Sequence, residues 1–182
     1  MLASKLLLTA LLTTQAPEDS TLRGFELTPY LGMYIPTRSW TIDSLRKETL
    51  SSATGFGLML GHWLKGGAGV EIDLGFTPSS IVTKTIGKAE MEKVSDNILL
   101  ANARFVFSPS SPNLAPWRLY GLSGIGVIKR HYGTSLNGVL GIGARVEAEG
   151  VSLRMEFNDN INKIRDSLSH DVFMIIGASI RL

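Results

Sequence analysis

The stretch Val151–Asp159, reading V-S-L-R-M-E-F-N-D, most constrains what this chain can fold into. Side chains on a β-strand point alternately to opposite faces. Val151, Leu153, Met155 and Phe157 therefore share one apolar face, and Ser152, Arg154, Glu156 and Asn158 share a polar one. The polar face carries an acid and a base in mid-strand. Such a segment needs apolar surroundings on one side and ion pairing or water on the other.

The same alternation recurs along the chain and predicts eight strands: Phe25–Ile35, Thr54–Leu64, Gly69–Thr77, Asp96–Phe107, Trp117–Ile128, Gly138–Glu147, Val151–Asp159 and Asp171–Leu182. In the third, Val70, Ile72, Leu74 and Phe76 oppose Glu71, Asp73, Gly75 and Thr77. In the fifth, Gly121, Gly124 and Gly126 blur the alternation and leave its faces open. Pro29 interrupts the first, and a bulge is expected there, because proline removes a ladder hydrogen bond.

Long polar links follow the odd-numbered strands: Pro36–Ala53, Pro78–Ser95, Lys129–Asn137 and Asn160–Ser169. Shorter turns follow the even-numbered ones. Lys65-Gly66-Gly67-Ala68 and Ala148-Glu149-Gly150 are tight, and Ser108–Pro116, with three prolines, is no regular element. Outer-membrane barrels show this asymmetry of long outer loops and short periplasmic turns, together with an even strand count. Strands of about nine to twelve residues suit tilted crossings of a bilayer. The pattern predicts an all-β fold, an eight-stranded antiparallel up-and-down transmembrane β-barrel.

Which residues share a face separates a membrane barrel from a soluble one. Glu26, Glu71, Asp73, Arg104, Arg145, Glu147, Arg154 and Glu156 fall opposite the large aliphatic residues, and Arg181 joins them. In a membrane barrel they form a paired, structural network in the lumen. Gly32, Gly55, Gly57, Gly61, Gly75, Gly141, Gly143 and Gly177 lie on that same face. An eight-stranded barrel is only just wide enough for its own side chains, so long polar residues need small neighbours. A solvated sheet face has no such need. Aromatic girdles are expected at Phe25, Phe107, Trp117 and Tyr120 on the periplasmic level, and at Phe56, Phe76 and Phe157 on the outer level.

The chain of 182 residues fits one domain, and its net charge of +2 gives no case for a nucleic-acid partner. It contains no cysteine, which excludes disulfides and thiolate sites. Residues 1–16, with Lys5 followed by Leu6, Leu7, Leu8, Ala10, Leu11 and Leu12, read as a signal peptide ending at Ala16. Residues 17–21 read as a linker and 22–182 as the barrel domain.

The G-x-G strand Leu140–Glu147 (L-G-I-G-A-R-V-E), the V-S-L-R-M-E-F strand after it and a terminal strand ending at Leu182 resemble the small eight-stranded outer-membrane barrels of the OmpX and OmpA transmembrane-domain types. The resemblance covers Leu22–Leu182. It implies the outer membrane of a Gram-negative-type envelope, a structural, adhesive or envelope-maintenance role without catalysis, and a monomer. Its implied partners are outer-membrane lipid and, during biogenesis, the outer-membrane assembly machinery. Such barrels typically end in an aromatic residue; this chain ends in Leu182.

No cofactor and no metal site are expected, since His62, His131 and His170 lie in different segments without ligand spacing. Ser169-His170-Asp171 holds triad residue types, but as consecutive residues they point apart. Asn158-Asp159-Asn160 reads as a turn. Lys129 and Arg130, with His131, form a basic cluster placed to meet lipopolysaccharide phosphates. An alternative reading is a lipid A deacylase-like esterase in which His131 activates Ser135 across a turn. Another is a soluble lipocalin-like barrel whose aliphatic face lines a cavity for an apolar ligand.

Overall fold

A computed structural model describes residues 24–37, 39–43, 46–64, 67–86, 91–108, 117–148, 150–164 and 167–182. The leader and linker expected over residues 1–21 lie outside this set.

Among the described residues ten antiparallel strands follow in chain order: β1 (Gly24–Pro36), β2 (Ser39–Asp43), β3 (Arg46–Leu50), β4 (Ala53–Trp63), β5 (Ala68–Thr85), β6 (Met91–Phe107), β7 (Trp117–Arg130), β8 (Gly133–Ala148), β9 (Val151–Ile164) and β10 (Ser167–Arg181). Eight of them, β1 and β4 through β10, each pair with their sequence neighbours. The β1–β10 and β5–β6 ladders complete a closed barrel. Closure leaves no free sheet edge in the wall, which is what a membrane requires of a β-structure.

The remaining pair, β2 and β3, corrects the reading of Pro36–Ala53 as a long polar link without strands. β3 continues the line of β4 along the same edge of β5, with Leu50 opposite Ile81 and Arg46 opposite Thr85. Leu50 and Glu48 are buried. The segment 78–95 is likewise mostly ladder, since β5 and β6 stay paired as far as Lys84 and Met91. The β7–β8 link narrows to a turn at His131 and Tyr132, closed by Gly133 at φ +125°. Asn158, Asp159 and Asn160 belong to β9 and form no turn. These strand ends share one cause. Aliphatic alternation marks only the part of a strand that faces an apolar medium, whereas backbone pairing continues above it with polar residues on the outward face.

The expected bulge at Pro29 is absent. The register with β4 runs unbroken from Gly24 to Tyr34, and the pairing with β10 lapses only at Thr28 and Pro29. Gly67 and Gly150, at φ +77° and +73°, make the short turns possible, because left-handed backbone strains other residues.

The faces of β7 are resolved by closure. Tyr120, Leu122, Ile128 and Arg130 point inward, while Trp117, Leu119, Ile125 and Val127 face out. The interior is not polar throughout. An apolar layer that includes Tyr34, Leu50, Ile81, Ile98, Ile128 and Phe173 fills one half, and a smaller group with Trp63, Val106 and Tyr120 lies in the other.

Candidate functional site: a filled lumen inside an apolar belt

Among the described residues three ion-pair clusters are stacked within the barrel, each built by inward-facing side chains of several strands. At the centre, Arg104 of β6 and Arg154 of β9 face Glu71 and Asp73 of β5 and Glu156 of β9. Arg104 Nη1 donates to Glu156 Oε2 at 2.9 Å and Arg154 Nη1 to Glu71 Oε1 at 2.7 Å. Each guanidinium also bonds the other's carboxylate, Arg104 to Glu71 and Arg154 to Glu156. Tyr120 Oη donates to Glu156 Oε1 at 2.8 Å and Tyr30 Oη to Asp73 Oδ1 at 2.9 Å, with Asn102 adding a bond to Asp73. All five charged side chains are buried. A charge taken out of water must be repaid by close, fully bonded partners, which this crossed arrangement supplies.

Towards the end where both described termini lie, Arg145 holds Glu26 with bonds of 2.8 and 3.2 Å and stacks over Trp63 at 4.8 Å from the ring centre. The Trp63 Nε1–H donates to the same carboxylate at 3.0 Å. Glu147 lies 2.6 Å from Arg145 and 3.4 Å from the half-exposed Arg181. Thus the eight lumen residues singled out from parity, together with Arg181, sit in two of the three clusters.

The third cluster, at the other end, was missed. Arg130 Nη2 donates to Asp171 Oδ2 at 2.6 Å and its Nη1 lies 3.3 Å from Asp96. Tyr34 Oη donates to Asp171 at 3.0 Å, and Asn162 Nδ2 donates to the same residue at 2.7 Å. Asp96 also accepts the backbone N–H of His131. Below it, Asn137 bridges Asn102 and Asn160. Parity could have found these residues. Asp171 shares the face of Phe173 and Ile175, and Arg130 that of Ile128, but both fall where the aliphatic alternation ends.

Arg130 is therefore corrected as a lipopolysaccharide contact. It points into the lumen, whereas its neighbour Lys129 points out, because adjacent strand residues take opposite faces. Tyr120 is corrected as a girdle residue, since it is buried within the central cluster. Phe25, Phe107, Trp117, Phe56 and Phe157 are exposed on the outside, and Phe56 packs on Phe76 with ring centres 5.5 Å apart. His131 stacks edge-on against Tyr132 in the turn, while Ser135 lies on β8 opposite Ile128. No hydrogen bond joins His131 to Ser135 among the described residues, so the esterase pairing is not formed.

The outer surface is the inverse of the lumen. Leu31, Ile72, Leu74, Ile125, Leu140, Ile142, Leu153 and Ile176 are all more than half exposed around the barrel. A soluble protein does not present such a belt to water. The aliphatic face lies outside, which overturns the lipocalin-like reading, since that reading needs it to line a cavity.

A closed eight-stranded antiparallel barrel with ion pairs inside and an apolar belt outside has the architecture of a small outer-membrane β-barrel. The chain is similar in fold to the outer membrane protein OprG from Pseudomonas aeruginosa, with a TM-score of 0.63 and 12% identity over 88% of this chain and 96% of that one. It is also similar to Neisserial surface protein A, with a TM-score of 0.61 and 9% identity over 87% and 97% of the two chains. The N-terminal β-barrel domain of OprF from Pseudomonas aeruginosa aligns with a TM-score of 0.54 and 11% identity over 88% and 98%. No family model matches the chain, and no curated protein sequence matches it.

Proposed function

We propose that this protein is a monomeric, non-catalytic barrel of the outer membrane of a Gram-negative-type envelope, with a structural, adhesive or envelope-maintenance role. One observation carries the reading: the apolar belt encircles a lumen occupied by its own side chains. A filled lumen leaves no room for a substrate path or an open pore. The buried charges act in this reading as internal struts that fix the strands against one another. Outer-membrane lipid is the surrounding partner, and the assembly machinery acts on the chain during biogenesis.

Fractionation of the expressed full chain, followed by gel migration with and without boiling, tests the reading. Recovery with the outer membrane and a heat-modifiable band is the expected result. Recovery as a soluble monomer without detergent would refute it. An esterase activity abolished by both His131→Ala and Ser135→Ala would establish the competing enzymatic reading.

A further inference from the structure

The outward face of the β5–β7 wall differs from the rest of the belt. Register places Leu74, Ala101 and Val127 in one cross-strand row, with Ile72, Ala103 and Ile125 in the next. The two small alanines of β6 thus lie between ridges of large residues on β5 and β7. The result is a groove of about 560 Å³ floored by Ala101 and walled by Phe76, Leu74, Leu99 and Val127. Lys129, opposite Leu99, stands at its upper rim.

Above this groove the same face turns basic. Lys47 on β3 lies directly opposite Lys84 on β5, and Lys93 on β6 lies opposite Val82 of that face. All three lysines are exposed. No Asp or Glu shares that face on β3, β5 or β6 among the described residues. Like charges directly opposed across a ladder repel, and that repulsion is relieved by an external anion. Between the two tiers the face presents Ser80, Ser95 and Asn97, side chains suited to hydroxyl-rich ligands.

The spacing selects the ligand. Lys93 is six residues from Leu99 along β6, roughly 20 Å of strand and about 15 Å of height after barrel tilt. The headgroup zone of a bilayer is only about 5–8 Å deep on each side. A glycerophospholipid seated in the groove meets Lys129 and falls short of the upper tier. An acylated glycolipid with phosphates both at its base and on an extended saccharide meets both tiers.

We propose that the β3–β5–β6–β7 wall is a docking surface for lipopolysaccharide with a phosphorylated core. An acyl chain lies along Ala101 and Ala103, Lys129 holds a phosphate at the lipid A level, and Lys47, Lys84 and Lys93 hold core phosphates. This rests on the outer-membrane reading above.

The test uses the refolded full chain in neutral detergent, with three purified probes: lipopolysaccharide bearing a phosphorylated core, lipid A alone, and phosphatidylglycerol. A basic residue near an anionic surface is worth roughly fivefold in binding. Lys129→Ala should weaken binding of lipopolysaccharide and of lipid A about fivefold. The triple variant K47A/K84A/K93A should weaken core-bearing lipopolysaccharide up to about a hundredfold and leave lipid A unchanged, with the corresponding triple arginine variant retaining binding. Ala101→Trp, which fills the groove without altering charge, should weaken both ligands. Triple-alanine binding equal to wild type, or phosphatidylglycerol binding as tightly as lipopolysaccharide, would overturn the proposal. Each sample is also run with and without boiling. A heat-modifiable band with no lipid preference removes the docking surface alone, whereas loss of heat modifiability in the wild type removes the barrel reading beneath it.

Discussion

Gly143 faces the Tyr120 ring so closely that a Cβ built there would meet three of its atoms at 2.6 Å or less. Tyr120 cannot retreat freely, because its hydroxyl bonds Glu156 and Arg154. Gly143→Ala should therefore destabilise the barrel by about 1–3 kcal/mol through overpacking. In a double-mutant cycle the penalty should shrink on a Tyr120→Ala background, as urea titrations in detergent would show. The ion pairs predict a larger effect. Glu156→Ala leaves Arg104 and Arg154 short of a buried counter-charge and should cost about 3–5 kcal/mol in the same titration. A cost under 1 kcal/mol would mean that water enters the centre of the lumen. Glycine positions and charged residues of one parity were both legible in the sequence, since each follows from alternation alone. Which arginine meets which carboxylate was not legible, because Arg104 and Glu156 are 52 residues apart and are joined only by barrel closure.

At the scale of the element, a strand's outward face records its surroundings. Ile142 is 68% exposed and sits at the middle of β8. Ile142→Arg should cost about 2–4 kcal/mol for a barrel folded in lipid, as for other midplane arginines. A neutral result would place that face in water. β3 makes the complementary case. Its sequence, R-K-E-T-L, has no aliphatic alternation, yet Leu50 is buried within the apolar layer of the lumen. Leu50→Ala should cost about 2–5 kcal/mol as a core truncation, measurable as a fall in the unfolding midpoint. Were Pro36–Ala53 an irregular loop, that substitution would be silent. The strand cores were readable because lipid imposes period two on them. Their extensions were not, because a ladder exposed to water accepts polar residues on its outward face.

For the whole molecule, lumen packing and belt together set what the barrel can do. Tyr34, Leu50, Ile81, Ile98, Ile128 and Phe173 pack one half of the interior beside the Arg130–Asp171 pair, and the other Arg–carboxylate clusters fill the barrel towards its opposite end with Trp63, Val106 and Tyr120. Liposomes containing the protein should show no uptake of small sugars beyond protein-free controls, and stepwise conductance in planar bilayers would contradict this. The amino-acid sequence by itself determined the eight strands of the barrel wall and, outside β7, the inward and outward sets of their cores. Each of these is a local consequence of period-two patterning and of turn chemistry. Only the tertiary structure decided that Arg130 turns inward to Asp171 and Asp96, that β3 extends the line of β4, and that Ala101 floors a groove beneath a tier of lysines. Those features depend on the register between strands distant in the chain. Register is fixed by closing the barrel, not by any one segment.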